Sequence, residues 1–351
     1  MNQVIKTPDE ILSALPKPQL ENIDSITLTA EDWLVVCGGF EDRAVAVLHS
    51  AILGAERFSV ILINYEPFVP ENKSKVIREI CRTGNINLVE VSYNREVPSG
   101  FGETLLNAVP TIKGRLFLDI SGMSRLLIVQ AIVALKERPE ASSNCWVIYT
   151  EAQTYPPNED EASFQLARSD SDPSSAIFFL SSGVYGVTLV PELSSHVSSA
   201  VQTRLVVFPS LDSHQLVALR AELQPSRLSL IEGVPPVSHN KWRQTVISEV
   251  NRLDDAKNAE RYSVSTLAYE ETVGCLLEIY ARHALYERIL VSPTGSKMQA
   301  VAVGIVRSFL DDLQIVYPTP RDFLKPEKYT EGVGQMHLLP LQGFLIALRS
   351  F

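Results

Sequence analysis

One pattern occurs twice in this sequence of 351 residues: a short apolar run, a polar turn centred on glycine and carrying a cation, and a long apolar segment. The first copy is RLFLDISGMSRLLIVQAIVAL, and the second is RILVSPTGSKMQAVAVGIV. Short apolar runs predict buried strands, and the longer segments predict helices. Each copy therefore predicts a strand, a turn and a helix of a parallel α/β sheet.

The same alternation extends over most of the first half. WLVVC, FSVILINY, NLVEVSY, RLFLDI and CWVIYT predict strands with helical segments between them. Continuous apolar strands are typical of a parallel sheet that is covered on both faces. SITLTA predicts an additional edge strand, and EILSALP predicts a short helix near the N-terminus.

The second half repeats the order of the first. Three landmarks recur at nearly one spacing: Val36 and Val207 are 171 residues apart, Gly122 and Gly295 are 173 apart, and Tyr149 and Tyr317 are 168 apart. Such a repeat indicates an internal duplication whose period is a whole domain. We predict an α/β fold of two duplicated Rossmann-like domains with mainly parallel sheets, related by a pseudo-two-fold axis and facing each other across a cleft.

We place the domain boundary near residue 200, which gives an N-terminal domain of residues 1–200 and a C-terminal domain of residues 201–351. Residues 155–176, YPPNEDEASFQLARSDSDPSSA, are acidic and rich in Pro and Ser. This composition predicts an exposed, lid-like loop. IFFL and GVYGVTLVP, which follow it, predict two extra strands.

The overall charge and hydropathy restrict the class of protein. A net charge of −10 argues against an extended nucleic-acid surface, since such surfaces depend on clustered cations. The sequence has no apolar run long enough to span a membrane and no signal-peptide pattern, so we expect a cytoplasmic protein. Its four cysteines are scattered without zinc-ligand spacing, and neither GxGxxG nor a P-loop is present, so we predict no metal and no cofactor.

The two glycine turns have the features of an anion site. In an open parallel sheet, ligands bind beyond the carboxyl ends of the strands, where helix N-termini favour negative charge. The N-terminal turn, residues 121–125, and the C-terminal turn, residues 294–297, each add hydroxyls and one cation. The predicted ligand-binding residues are Gly38, Gly39, Phe40, Arg43, Ser121, Gly122, Met123, Ser124, Arg125, Thr294, Gly295, Ser296, Lys297 and Gln299.

Structural interpretations of these segments stay open. Ser, Thr and Gly before a helix are also ordinary N-cap residues. The turn at residues 38–43 has diverged from its counterpart at 209–214, so it either contacts a base or ribose or forms a solvated helix start. Tyr65 is a ligand contact or a packing residue, and the strip of residues 317–321 with Lys325, Lys328 and Tyr329 is a flexible cover or a plain surface loop.

No catalytic motif is present in the sequence. The six histidines are dispersed, and GxSxG and HExxH do not occur. Asp119, Glu151 and Glu66 follow predicted strands and are the available acid/base groups, but the catalytic residues stay unassigned.

In this arrangement the chain resembles the CRISPR-associated Rossmann fold (CARF) domains and the SAVED domains. The strand, the Pro293-Thr-Gly-Ser-Lys-Met-Gln299 turn and the apolar helix are similar to the turn of that family, and Ile120-Ser-Gly-Met-Ser-Arg125 is a looser match. The resemblance implies recognition of a cyclic nucleotide or oligonucleotide messenger in bacterial antiviral defence. It departs from the family because no segment is assigned to an effector domain. The chain is then either a sensor subunit that acts with a separate effector protein, or its Rossmann-like units cleave the ligand themselves, as ring nucleases do.

We therefore expect a module that binds and senses a small nucleotide-like anion. The alternative is an enzyme that acts on a nucleotide or sugar phosphate, such as a ring nuclease. A scaffold without a small ligand is the third hypothesis.

Overall fold

The computed structural model describes residues 19–53, 57–109, 113–138, 144–169, 183–194, 202–253, 259–321 and 330–341. They form two compact units. The N-terminal unit contains the described residues of 18–158 and 322–346, and the C-terminal unit contains those of 159–321. No helix in these ranges is both long enough and apolar enough to cross a membrane.

Seven strands, counted over the described residues, form the sheet of the N-terminal unit, in the order β1-β13-β6-β5-β2-β3-β4. They are β1 (Glu21–Ile23), β2 (Trp33–Cys37), β3 (Ser59–Glu66), β4 (Asn87–Asn94), β5 (Leu116–Asp119), β6 (Cys145–Thr150) and β13 (Met336–Pro340). Strands β2 to β6 are parallel, whereas β13 is antiparallel to both β6 and β1. A 3-10 turn (Asp42–Val45) precedes the helices, which are α1 (Ala46–Leu53), α2 (Ser74–Thr83), α3 (Phe101–Ala108) and α4 (Arg125–Lys136).

The described part of the C-terminal unit has a six-stranded sheet in the order β10-β9-β8-β11-β12-β7. Its strands are β7 (Val184–Leu189), β8 (Gln202–Val207), β9 (Arg227–Val234), β10 (Glu260–Ser265), β11 (Glu287–Ser292) and β12 (Gln314–Pro320). Only β7 is antiparallel to its neighbour. The helices are α5 (Glu159–Arg168), α6 (His214–Leu223), α7 (Trp242–Val250), α8 (Tyr269–His283) and α9 (Lys297–Phe309), with short 3-10 turns at Pro191–Leu193 and Ser238–Asn240.

The predicted fold class is confirmed, because each unit has a mainly parallel sheet of the same design. Numbered along the chain within its own unit, the parallel strands of both sheets follow the order 3-2-1-4-5, and an antiparallel strand lies beyond the fifth. This is a duplicated Rossmann-like arrangement. The two-fold axis and the cleft stay predictions.

The apolar runs of the sequence form the cores of these sheets. Val36, Leu62 and Phe117 of the N-terminal sheet are buried in one cluster with Leu48 of α1 and Ile77 of α2. Each such side chain contributes roughly 1.5–3 kcal/mol when it is fully buried. Helices α4 and α9 follow the two glycine turns and are buried along most of their length, which explains why their sequences lack a polar face.

The antiparallel strand of each sheet is exchanged between the repeats. Strand β7 follows β6 in the chain but pairs with β12, and β13 follows β12 but pairs with β6. The predicted boundary near residue 200 is therefore replaced by a division after Asn158 and a second one after Arg321. The sequence pattern missed this because the partner of a short strand is set by distant parts of the chain.

Two predicted elements differ in the structure. Residues 25–30 form no strand, although Ile26 and Leu28 are buried in the core, and the added edge strand is β1 instead. The predicted loop at 155–176 contains α5, whose acidic first turn suits a helix N-terminus and whose Ala162 is buried. Residues 170–176, IFFL, EILSALP, Lys325, Lys328 and Tyr329 lie outside the described residues.

Candidate functional site

The two glycine turns lie at equivalent places, between the fourth parallel strand of each unit and the helix that follows. Ser124 is the N-cap of α4 and Ser296 is the N-cap of α9, so Arg125 and Lys297 are both the first residue of a helix. The glycine lies two residues before the N-cap in the N-terminal turn and one residue before it in the C-terminal turn. Met123 is therefore a one-residue insertion in the first copy.

The N-terminal turn is closed by bonds within its own unit. The Tyr65 hydroxyl, at the end of β3, accepts the backbone N–H of Ser124 at 2.6 Å and donates to the carbonyl of Gly122 at 3.3 Å. The Ser121 hydroxyl accepts the backbone N–H of Thr150 at 2.9 Å. Desolvation of the Tyr65 hydroxyl raises its pKa well above the usual range, and Cys37 adds to that shift. The hydroxyl therefore stays neutral.

Gly38 and Gly39, which follow β2, and Gly122, in the N-terminal turn, allow neighbouring segments to pack closely. A Cβ atom on Gly39 would lie 2.7 Å from the carbonyl oxygen of Gly122, and one on Gly122 would lie 2.4 Å from that of Cys37. On Gly38 it would lie 2.1 Å from the Ser74 hydroxyl. The structure therefore gives these three predicted ligand residues a packing role, because each is needed to let two backbones or a backbone and a side chain meet.

Arg43 is buried near the carboxyl ends of the N-terminal strands, and we call its contacts with Glu41, Tyr149 and Thr150 the Arg43 clamp. Its guanidinium donates to the Glu41 carboxylate at 2.9 Å, to the Tyr149 hydroxyl at 3.3 Å and to the carbonyl of Thr150 at 3.2 Å. It also lies over the rings of Tyr149 and Tyr155, at 5.7 and 5.8 Å from their centroids. Burial is the largest single effect and acts to lower the pKa of Arg43, but the charge and hydrogen bond of Glu41 together with the two tyrosines outweigh it, and the net shift is upward. The side chain stays charged and is fully engaged within its unit.

The C-terminal turn has a reciprocal capping box. The Ser296 hydroxyl accepts the backbone N–H of Gln299 at 3.0 Å, and Oε1 of Gln299 accepts the backbone N–H of Ser296 at 2.8 Å. Ser296 also donates to the carbonyl of Thr266 at 2.5 Å, and Thr294 donates to the carbonyl of Phe208 at 2.7 Å. Both predicted hydroxyls therefore hold the turn in place.

Polar groups without a partner are buried at this turn. Nε2 of Gln299 has no hydrogen-bond partner among the described residues, although the side chain is only 2% exposed. It lies 3.6 Å from the place that a Cβ atom on Gly233, at the end of β9, would occupy. The buried hydroxyl of Ser292, the last residue of β11, is also without a described partner. Such a group costs roughly 1–3 kcal/mol, so it calls for an explanation.

The remaining predicted residues surround these two turns. Phe40 and Arg125 are half-buried, whereas Met123 and Lys297 are buried. The strip from Tyr317 to Pro320 is part of β12 and pairs with β7, so the prediction of a loop there was wrong. Its alternating prolines are typical of a loop, but the segment forms a strand next to the edge strand β7.

The candidate acids are held in different ways. Asp119 is buried and accepts the backbone N–H of Ser121 at 2.9 Å. Oε2 of Glu151 lies 3.3 Å from Nε2 of the buried His337, which is an ion-pair distance without hydrogen-bond geometry. No cluster of three or more His, Cys, Asp and Glu side chains that could hold a metal occurs in the part of the chain that the structure describes.

The sequence pattern did not predict that Tyr65 caps a helix, nor that Tyr155, Thr330 and His337 lie near the N-terminal turn. Thr330 donates to Glu41 at 2.9 Å, and the His337 ring stacks on Tyr149 with 6.0 Å between centroids. Both come from the segment that returns to the N-terminal unit, so no local pattern could have placed them. The capping box, by contrast, is readable from the spacing of Ser296 and Gln299.

No family model and no curated protein matches the chain. The cytoplasmic domain of a prokaryotic cation chloride cotransporter is 9% identical, with a TM-score of 0.24, over 83% of this chain and 95% of that one. A functionally unknown protein from Pseudomonas aeruginosa PAO1 is 8% identical, with a TM-score of 0.20, over 91% and 97%. Phosphoethanolamine N-methyltransferase 1 of Haemonchus contortus is 10% identical, with a TM-score of 0.21, over 82% and 72%. Likenesses this distant carry no argument about function.

Proposed function

We propose that this protein binds and senses a small nucleotide-type anion at the carboxyl edge of its parallel sheets. The observation that carries the proposal is the buried, unpartnered Nε2 of Gln299 in the first turn of α9, two residues from Lys297. A phosphate or carbonyl oxygen would accept this N–H and remove the cost of leaving it unpaired. The dipole of α9 and the charge of Lys297 favour the same negative ligand.

The resemblance to CARF and SAVED domains narrows the proposed ligand to a cyclic nucleotide or oligonucleotide messenger. Such a ligand carries both phosphate oxygens and base carbonyls, which are the acceptors that an amide N–H and an ammonium group recognise. In this proposal the protein acts in antiviral defence and passes its signal to a separate effector protein.

Titration calorimetry with cyclic di-, tri- and tetranucleotides tests the proposal on the full chain. We expect at least one of them to bind, and we expect Lys297→Met to weaken binding about tenfold or more because a charge-assisted hydrogen bond is lost. The matched control is Lys241→Met, at an exposed lysine next to α7, which should bind like the wild type.

The same incubations, followed by chromatography with and without Mg²⁺, separate a sensor from an enzyme. A sensor leaves the nucleotides intact or cleaves them slowly. Turnover faster than about 1 per second would replace the sensor by the ring-nuclease alternative, since that rate is typical of dedicated enzymes. No binding by any nucleotide of the panel would remove the proposed function.

A further inference from the structure

We infer that the chain holds one such anion, at the C-terminal turn, because the Tyr65 hydroxyl already takes the equivalent position in the N-terminal unit. This inference rests on the proposed function and specifies which of the two repeated turns carries it.

Strand register establishes which residue of the C-terminal unit corresponds to Tyr65. Val36 is opposite Leu62 in the N-terminal sheet, and Val207, its counterpart in the repeat, is opposite Leu230. Three residues further along each strand, Tyr65 therefore corresponds to Gly233. The duplication has a phenol at one turn and no side chain at the other.

The backbone N–H of the N-cap residue therefore has a different hydrogen-bond acceptor in the two turns. In the N-terminal turn the N-cap amide of Ser124 donates to the Tyr65 hydroxyl, which donates onward to Gly122. In the C-terminal turn the N-cap amide of Ser296 donates to Oε1 of Gln299. That bond fixes the orientation of the amide, and Nε2 is left without a described acceptor. The whole amide lies beside Gly233, with Nε2 3.6 Å and Oε1 3.8 Å from the place that a Cβ atom there would occupy.

The Tyr65 ring is held at its turn by a second aromatic residue that the other unit lacks. Tyr93 is opposite Tyr65 in the sheet, and their rings meet edge to face with 5.8 Å between centroids. The Tyr93 hydroxyl donates to Gln130 at 3.0 Å. In the C-terminal sheet the residue opposite Gly233 is Val264. Both rings that fill the N-terminal turn are thus replaced by smaller residues.

These differences define the ligand group that the C-terminal turn takes. It has to be a hydrogen-bond acceptor, because the unpartnered atom is a donor. It has to tolerate or prefer negative charge, because it meets the N-terminus of a 13-residue helix that begins with Lys297. A phosphate oxygen meets both conditions, and the N-terminal turn, with its own hydroxyl in place, has no need of one.

Titration calorimetry of the full chain with two probes, inorganic pyrophosphate and cyclic di-AMP, tests the inference. Gln299→Glu keeps the oxygen that caps Ser296 but replaces the Nε2 donor by a negatively charged acceptor. We expect this variant to bind the better probe at least about tenfold more weakly. Because the new carboxylate is buried, the melting temperature should fall, so binding is measured at a temperature at which circular dichroism shows the variant to be folded. Tyr65→Phe removes the hydroxyl of the other turn, and we expect its affinity within about twofold of the wild type and a stoichiometry of one probe per chain.

Three outcomes decide the matter. One probe per chain together with weakened binding by Gln299→Glu supports the inference. Two probes per chain, or an equal loss of affinity in Gln299→Glu and Arg125→Met, would show that both turns bind and would overturn it while leaving the proposed function intact. If neither probe nor any nucleotide of the panel binds the folded wild-type chain, the proposed function itself fails, and the inference fails with it.

Discussion

The hydroxyl of Tyr65 lies 2.6 Å from the backbone nitrogen of Ser124 and accepts its N–H. This bond joins the end of β3 to the N-cap of α4, 59 residues away in the chain. A group that would be an orphan at a helix N-terminus is thereby satisfied by a neutral side chain of the protein.

Removing that hydroxyl should destabilise the protein. In Tyr65→Phe the Ser124 amide and the Gly122 carbonyl both lose a partner, and we expect the free energy of unfolding to fall by about 1–3 kcal/mol. Urea denaturation followed by circular dichroism measures the change. Tyr286→Phe is the matched control, because that side chain is 76% exposed and should leave stability unchanged. Equal effects in both variants would contradict the role of the bond.

The close contact between the loop at Gly122 and the end of β2 at Cys37 predicts that a larger residue at position 122 is not tolerated. Gly122→Ala would place a Cβ atom 2.4 Å from the Cys37 carbonyl oxygen, so the two loops must separate. We expect a loss of about 2 kcal/mol or more, measured by thermal unfolding. Gly274→Ala, in α8, meets nothing within 4 Å and should be neutral or stabilising by up to about 1 kcal/mol. A mild effect at Gly122 would mean that the loops separate easily.

The Arg43 clamp should matter more for stability than an exposed ion pair of the same type. Arg43→Met leaves the Glu41 carboxylate, only 13% exposed, without its cation, and we expect a loss of about 3–5 kcal/mol. Arg78→Met breaks an exposed pair with Glu90 and should cost about 1 kcal/mol or less. Denaturation midpoints of the two variants give the comparison, and similar midpoints would contradict the clamp.

Asp32 should make the free energy of unfolding fall at low pH. Burial acts to raise the pKa of this carboxyl, but the hydrogen bonds from Arg115 and Thr29 outweigh it, so the folded pKa is lowered. The carboxylate therefore stabilises the fold fully above its unfolded pKa of about 3.9, and this contribution is lost as the pH falls from there through the folded value. We expect Asp32→Asn to be less stable than the wild type at pH 7. Below pH 4, its free energy of unfolding should depend less on pH than that of the wild type. Exposed Asp24→Asn is the control, and parallel pH profiles of Asp32→Asn and the wild type would contradict this role.

The sequence was sufficient for the features that depend on local periodicity. The five parallel strands of the N-terminal unit, strands β8, β11 and β12 and the two buried helices α4 and α9 follow from apolar runs and from their repetition. Strands β9 and β10 were not predicted, and β10 is mostly polar and half-exposed. The α5 helix was missed because its Pro, Ser and acidic neighbours resemble a loop, whereas Ala162 and Leu166 pack against α7.

The positions of the two glycine turns were predictable from the sequence, but the hydrogen bonds that close them were not. Glycine, hydroxyl and cation at a strand end marked both turns, since that edge is fixed by the α/β topology. Whether a turn is closed depends on the residue that the neighbouring strand brings beside it. Tyr65 and Gly233 occupy that position through strand register, which the sequence alone does not give.

The exchanged strands β7 and β13 also bear on how the duplication arose. Apart from the edge strand β1, each half of the gene encodes five parallel described strands and then one that joins the other sheet. A single ancestral copy with this order would have left the edge of its fifth strand bare unless a second copy supplied the missing strand, as in a domain-swapped dimer. Fusion of two such copies would make the dimer permanent, and neither half of the gene would then be a module that can be transplanted alone.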